Sequence, residues 1–202
     1  MKNIFFGFVI AASTLAACNS NNKTADTEHN DMHNDSSMDM HQQKTDTAVS
    51  QSASAIVAFP TKEIIAGYLQ LKNALTKDNG KDAATAGNAI VATLAKVDMK
   101  SLSNVQMKSY MDIADDLKEH AEHIGANAGK ITHQREHFEM LSKDIADLVK
   151  TFGNGGQTLY KDFCPMANDN KGAYWISETK DIKNPYLGKA MPTCGSVKET
   201  IQ

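Results

Sequence analysis

Seven histidines, three cysteines and ten methionines are the residues of this chain best able to do chemistry. Thiolate and thioether sulfur atoms bind soft metal ions such as Cu(I), and imidazole binds Cu(II) and Zn(II) as well. Many of these side chains are concentrated in three short segments. Each segment is therefore a candidate metal site, for which an ordinary structural explanation also exists.

The first segment lies in a polar stretch near the N-terminus and combines imidazoles with thioethers. Its six candidate ligands are His29, Met32, His33, Met38, Met40 and His41. Methionine gains little from a hydrophilic linker, because it has no apolar surface to pack against there. This composition favours capture of a soft metal ion, although a solvated linker with incidental methionine and histidine gives the same pattern.

The second segment places two pairs of histidines on either side of a predicted turn between helices. His120 and His123 are three residues apart, so they can share one helix face. His133 and His137 are four residues apart and can do the same. In an antiparallel hairpin around this turn, all four imidazoles fall at about the same height, and helix bundles build metal sites in this way. Polar residues beside a turn are the alternative, because a common layer does not guarantee a common side.

The third segment is the C-terminal tail, where two near mirror-image motifs each pair a cysteine with a methionine. The motifs are Cys164-Pro165-Met166 and Met191-Pro192-Thr193-Cys194. Their thiolates and thioethers suit Cu(I), with Ag(I) and Zn(II) as further candidates. The alternative is a Cys164–Cys194 disulfide, which would close a loop of about thirty residues and contribute roughly 3–4 kcal/mol. An oxidised pair cannot bind copper as thiolates, so the two states would alternate with redox conditions.

The N-terminus predicts where the protein works. Residues 1–17 combine a positive charge at Lys2 with a short apolar core, which is typical of a secretory signal and too short to span a bilayer. Leu15-Ala16-Ala17-Cys18 resembles the lipobox of bacterial lipoproteins, in which the Cys18 thiol would accept the lipid. A chance cysteine after an ordinary signal is the less favoured alternative. We therefore expect a lipid-anchored extracytoplasmic protein, on the periplasmic side of the outer membrane.

Composition divides the rest of the chain into a tether, residues 18–55, and a folded domain, residues 56–202. The tether has too little apolar surface to fold, so disorder is expected there. Within the domain, apolar residues recur at alternating spacings of three and four, which predicts four helices. Their predicted ranges are Lys62–Lys77, Asp82–Val97, Asn104–Ala126 and Lys130–Phe152. Short connections make neighbouring helices antiparallel, so the predicted fold is all-α, an up-down four-helix bundle.

The chain beyond the fourth helix differs in composition from the bundle. Glycines at 153, 155 and 156 end that helix, and three later prolines argue against a fifth one. We expect an irregular segment containing the Cys/Met motifs, packed on the bundle, with a short strand pair around Ala173–Ser177.

Charge and motifs argue against two classes of function. The formal net charge of −3, which becomes −4 without Lys2, argues against nucleic acid as a partner. Catalysis is not expected, because the chain has no His-Glu-x-x-His motif, Gly-rich phosphate loop or ordered Ser-His-Asp set. A binding or structural role remains.

The order of the tail motifs resembles the domain of unknown function 3347 family. The motifs are Cys-Pro-Met at 164–166, Gly-Ala-Tyr-Trp at 172–175, Asn-Pro-Tyr at 184–186 and Met-Pro-Thr-Cys-Gly at 191–195, with His-Gln-Arg-Glu-His-Phe at 133–138 upstream. The resemblance covers roughly Pro60 to Ile201. Ile176 and Leu187 depart mildly from the family pattern, and neither is a candidate ligand.

The resemblance implies a domain common in Bacteroidota, found alone behind lipoprotein signals and fused to periplasmic adaptors of copper and silver efflux systems. It implies metal-site roles for Cys164, Met166, Met191, Cys194, His133, His137 and, as a family tendency, His123, while His120 is added on geometry alone. These inferences together predict a membrane-tethered Cu(I)-binding accessory of metal resistance or efflux, with such an adaptor as partner. The alternative is a structural or protein-interaction domain stabilised by the disulfide.

Overall fold

The computed structural model describes residues 59–202. Four long helices come first: α1, Thr61–Thr76; α2, Gly80–Leu94; α3, Asn104–Ala126; and α4, Ile131–Phe152. Each helix contacts the next in sequence, and α1 also contacts α4, so the four form a bundle. The four predicted helices are confirmed, with ends that differ from the predicted ones by at most three residues. Outside the described residues lie the signal segment, Cys18 and the six tether ligands, His29, Met32, His33, Met38, Met40 and His41.

Local chemistry explains where α3 begins and where α4 ends. The Ser103 hydroxyl accepts a hydrogen bond from the Gln106 backbone N–H, and the Gln106 side chain accepts one from the Ser103 backbone N–H. This reciprocal cap satisfies backbone donors that the first turn of α3 would leave unpaired. Gly153 follows α4 with a φ of 87°, a conformation that costs glycine little and side-chain-bearing residues more. The sequence therefore sets these helix boundaries locally.

The apolar stripe predicted for each helix forms the core between the helices. Fully buried members include Tyr68 in α1, Ile90 in α2, Leu117 in α3 and Phe138 in α4. Burying a large apolar side chain contributes about 1.5–3 kcal/mol relative to exposing it. This burial fixes the rotation of α3 and α4, and so decides which of their polar residues face outward.

The tail is more regular than predicted, and the all-α prediction is wrong for it. Strands β1, Leu159–Cys164; β2, Ala173–Ser177; and β3, Ser196–Ile201 form an antiparallel sheet in the order β2-β1-β3. The strand pair expected around Ala173–Ser177 is β1 with β2, in which Cys164 faces Ala173. Strand β3 was not predicted, because nearly all its residues are exposed and no buried alternation marks it.

The sheet packs on α4 and α1. Trp175 of β2 is fully buried. The Tyr68 hydroxyl lies 2.7 Å from Ser142 Oγ in α4 and accepts a hydrogen bond from the Ile176 backbone N–H at 3.1 Å. Lys72 of α1, also fully buried, pairs with the Glu178 carboxylate just after β2. Apolar and polar contacts therefore both join the sheet to the helices.

Candidate metal centre

Three histidines from α3 and α4 come together beside the turn that joins these helices. His123 lies near the end of α3, and His133 and His137 lie in the first two turns of α4. One ring nitrogen from each can be chosen so that all three lie within 4.8 Å of one another. Metal–nitrogen bonds are about 2.0–2.1 Å long, so two ligands of one ion are separated by about 4 Å at most. Small side-chain rotations would therefore place all three nitrogens on one ion.

The three imidazole rings are already packed against one another. His123 and His137 stack with ring centroids 4.2 Å apart and planes 9° from parallel. His133 meets the His137 ring edge-on, with centroids 4.6 Å apart. His137 is thus the central member, and it is more enclosed than His123, which is exposed. The group is open to solvent on one side.

The backbone beneath the site is held by the residues that follow two of these histidines. Gln134 is fully buried, and its side-chain amide donates to the carbonyl oxygens of Gly80 and Ile124 at 2.9 and 3.1 Å. Phe138 is buried in the core one turn later. Because Gln134 and Phe138 face inward, the preceding His133 and His137 are turned toward the edge of α4 that faces His123.

His120 lies one turn before His123, beside the group of three. Its Nδ1 is 3.3 Å from Nδ1 of His137, and its Nε2 is 3.9 Å from Oδ2 of Asp144. That Asp144 oxygen is buried and has no hydrogen-bond partner among the described residues. Burial, reinforced by the charges of Asp116 and Asp147, raises the Asp144 pKa to about 7. His120 can therefore act as a fourth ligand or orient His137 from the side.

The electrostatics of the group favour neutral imidazoles. Burial lowers the pKa of His120 and of His137 below the ordinary value for histidine. For His137, the nearby His123 and His133 lower the pKa further. A histidine must be neutral to bind a metal ion, so a lowered pKa keeps its nitrogen lone pair available at neutral pH.

Carboxylates lie next to the two outer histidines. Glu136 Oε2 is 3.1 Å from His133 Nδ1, and Glu119 Oε1 is 3.9 Å from His123 Nε2. In metal sites, a carboxylate at hydrogen-bond distance, as Glu136 is from His133, accepts the second N–H of a ligating histidine and fixes the ring orientation. Sequence analysis did not select Glu119, Glu136 or Asp144. The signal was available, because each lies on the same helix face as a histidine at a spacing of three, four or seven residues.

The predicted tail ligands lie apart from the histidine group. Cys164, at the end of β1, is fully buried, and its sulfur is 2.6 Å from the sulfur of Cys194. Both are free cysteines, and their sulfurs need to approach only a little further to reach the bonded distance of about 2.0 Å. Met166 and Met191 are 45% and 42% exposed. The structure thus brings the two cysteines together, and neither belongs to the histidine group found among residues 59–202.

The family comparison covers the helices and stops before the tail. The family model described as Protein of unknown function (DUF3347) matches residues 64–157. This match confirms the predicted family and includes all four helix histidines, but it ends before Cys164, although the resemblance was expected to reach Ile201. No curated protein and no solved structure matches the chain. None of the described helices is both long and apolar enough to cross a membrane.

Proposed function

We propose that this chain, which belongs to the DUF3347 family over residues 64–157, binds a soft or borderline transition-metal ion through His123, His133 and His137. The observation that supports this proposal is the convergence of three imidazoles from two helices, with ring nitrogens within 4.8 Å. Three histidines leave one position of a four-coordinate ion open. That position is available to His120, to water or to a group on a partner.

Copper, as Cu(I), is the proposed ion, and Ag(I) and Zn(II) are its competitors. Imidazole is a ligand of both copper and zinc, so the three histidines alone do not select the ion. The six methionines and histidines of the tether favour a soft ion, because thioether sulfur binds Cu(I) and Ag(I) far better than Zn(II). A protein that collects its ion through the tether and holds it on the helices would therefore handle copper.

The proposed role is accessory metal handling outside the cytoplasm, on a lipid anchor at Cys18. The tether would capture ions, and the histidine centre would hold them and keep the free ion concentration low. A periplasmic adaptor of a metal efflux system would be the recipient. This role is one of binding and transfer, and it requires no catalytic group.

Competition for Cu(I) tests the proposal. The reduced mature chain with C18S and C164S/C194S, and with its six tether ligands replaced by serine, would be titrated anaerobically against a chromophoric Cu(I) chelator. We expect one tightly bound ion per chain, which is lost when His133 and His137 are both replaced by alanine. Equal copper affinity in that double variant would contradict the proposal. The same chain with Cys164 and Cys194 retained is the matched control, which reports any copper bound by the thiols, and the same titration with Zn(II) decides between the ions.

A structural role is the second candidate, and the cysteine geometry favours it. The Cys164 and Cys194 sulfurs lie 2.6 Å apart at the junction of β1 and the segment before β3. A disulfide there would make the domain a scaffold or protein-interaction module. Intact mass of the non-reduced protein measures the bridge directly. A complete bridge that persists with copper, together with no metal binding by the histidines, would support this role alone.

A further inference from the structure

We infer that His120 and Asp144 are positioning residues of the metal centre, which hold His137 for binding through its Nε2 and leave the fourth position of the ion open. The inference rests on the proposed function, because it assigns roles around an ion bound by three histidines. Sequence analysis grouped His120 with the metal ligands, since it falls in the same layer of the bundle. The contacts of its two ring nitrogens indicate a supporting role instead.

The first contact joins His120 to the central histidine of the group. Nδ1 of His120 lies 3.3 Å from Nδ1 of His137, and the two rings are tilted by 46°. In this hydrogen bond one nitrogen carries the proton and the other accepts it. With the proton on His137, its Nε2 keeps the lone pair that a metal ion needs. Metal-binding histidines almost always donate their second N–H to a neighbouring acceptor in this way.

The second contact decides which histidine carries that proton. Nε2 of His120 is 3.9 Å from Oδ2 of Asp144, an oxygen that is buried without a hydrogen-bond partner among residues 59–202. Because an unpaired buried oxygen is costly, a proton on Nε2 of His120 is favoured. A side-chain shift of about 1 Å would complete the bond. A neutral imidazole with its proton on Nε2 can only accept at Nδ1, so the shared proton belongs to His137.

A neighbouring ligand shows the same type of support in a shorter form. Nδ1 of His133 lies 3.1 Å from Oε2 of Glu136, three residues later in α4. The carboxylate of Asp144 lies two turns of α4 beyond His137, about 10 Å along the helix axis. The imidazole of His120, which comes from α3, bridges this distance. His120 therefore does for His137 what Glu136 does for His133, with Asp144 behind it.

This arrangement leaves His120 without a lone pair for the ion. Its Nδ1 accepts from His137 and its Nε2 donates to Asp144, so neither nitrogen is available. The group of three ring nitrogens within 4.8 Å of one another likewise does not include His120. A four-coordinate ion on three imidazoles keeps one position for water or for a donor atom of a partner. Ligand exchange at that position would let the ion be passed on.

Nitrogen NMR of protein with ¹⁵N-labelled histidine reads these roles directly. The mature C18S/C164S/C194S chain, with its tether ligands replaced by serine, would be measured before and after one equivalent of Cu(I) or Zn(II). Before metal is added, we expect Nδ1–H on His137 and Nε2–H on His120. The ion should then shift Nε2 of His137 and leave both nitrogens of His120 nearly unchanged. A metal-induced shift at His120 as large as at His137, or a proton on Nδ1 of His120, would overturn the inference.

Substitutions of His120 separate a supporting residue from a ligand. H120A removes the acceptor and should weaken metal binding about 10–100-fold, the usual cost of losing such a partner. H120N places an amide oxygen close to the position of Nδ1 and should recover most of the affinity. An amide oxygen could not replace a lost imidazole ligand of a soft ion, so H120N as weak as H120A would contradict the supporting role. E122Q, at an exposed position of α3, is the matched control and should bind as tightly as the unchanged chain.

Asp144 is tested through its effect on His120. D144L cannot accept a hydrogen bond, so the proton of His120 should exchange between its two nitrogens and their ¹⁵N shifts should become averaged. Metal affinity should fall by less than in H120A, because the His120 ring remains. D112L, at an exposed position of α3, is the control. Unchanged ¹⁵N shifts of His120 in D144L would show that Asp144 does not position it.

Failure of this inference is distinguishable from failure of the proposed function. If neither ion binds to the chain with its helix histidines intact, the proposed function is wrong and the inference falls with it. If an ion binds and H120A loses as much affinity as H133A, the proposed function stands. In that case His120 is a fourth ligand, and the inference alone is overturned.

Discussion

The α3–α4 helix pair and the three-stranded sheet each bring strong metal-binding donors together, but they hold them differently. On the helices, three imidazoles lie within 4.8 Å with one side open to solvent. In the sheet, the Cys164 and Cys194 sulfurs are 2.6 Å apart, and Cys164 is fully buried. An open group can admit and release an ion, whereas two cysteines already in contact, one of them buried, are placed to bond to each other. The helix pair is therefore suited to exchange, and the sheet is suited to a permanent link.

The cysteine pair should show the largest effect on stability. Oxidation to the disulfide should raise the free energy of unfolding by about 3–4 kcal/mol, because the bridge restricts a long loop of the unfolded chain. Urea unfolding of oxidised and reduced protein in a C18S background measures the difference. C164S/C194S is the control, which should unfold identically under both conditions. Equal stability of the oxidised and reduced forms would contradict the conclusion that the cysteine pair is suited to a permanent, stabilising link.

Among the three histidines of the open group, His137 should contribute most to metal affinity. H137A removes the central ring and should weaken metal binding about 100-fold or more. Mutating a residue that contacts only the metal's ligands already lowers metal affinity 10–100-fold, and a ligand should matter more. Chelator competition gives the affinity, and unfolding without metal should change by only about 1 kcal/mol. H120A is the matched comparison. A larger loss for H120A than for H137A would mean that His120 is the central ligand.

The helical part of this contrast could be predicted from the sequence. The spacing of buried residues such as Leu117 and Phe138 sets the rotation of α3 and α4, and rotation decides where a histidine points. The prediction of Asn104–Ala126 for α3 matches the structure at both ends. Four histidines could therefore be assigned to one layer, and the structure shows in addition that three of them share a side.

The sheet could not be predicted in the same way. Strand β1 comes first in sequence but lies in the middle, so its neighbours depend on pairing across long separations. The path after Pro165 passes through Asn168, Asp169 and Asn170, which all have positive φ. Asparagine and aspartate tolerate this conformation, but their presence does not require it. The position of Met166 beside α4 depends on that path, which the spacing of apolar residues in the sequence does not predict.

Tyr68 tests whether the two regions are independent. Its hydroxyl bonds both Ser142 in α4 and the Ile176 backbone N–H in β2. Y68F would leave the buried Ile176 N–H without its partner and should lower the free energy of unfolding by about 1–3 kcal/mol. Y174F is the control, because Tyr174 is 46% exposed. Metal affinity should be the same in both variants, and a parallel fall in affinity would show that the sheet and the histidines are coupled.

Asp162 should give the smallest effect, a dependence of stability on pH. It has no exposed surface, and burial raises its pKa from 3.8 to about 7. Between these values the folded protein holds a proton that the unfolded chain has lost. Its contribution to stability is therefore complete below the lower value and is lost as the pH rises through 7. Relative to D162N, the free energy of unfolding should fall by about 1–2 kcal/mol from pH 6 to pH 8; parallel urea midpoints would contradict this assignment.

Because Lys72 is buried where the sheet packs on α1, chemical labelling of its amine can report on the contact between helices and sheet. Its ammonium group has no exposed surface and is paired with Glu178, whereas the side chain of Lys108 is 79% exposed. An acylating reagent can modify Lys108 at once, but it can reach Lys72 only while the sheet is separated from α1. The rate of acylation at this single amine, read by peptide mass spectrometry, therefore measures how often the two layers part in the unmodified protein.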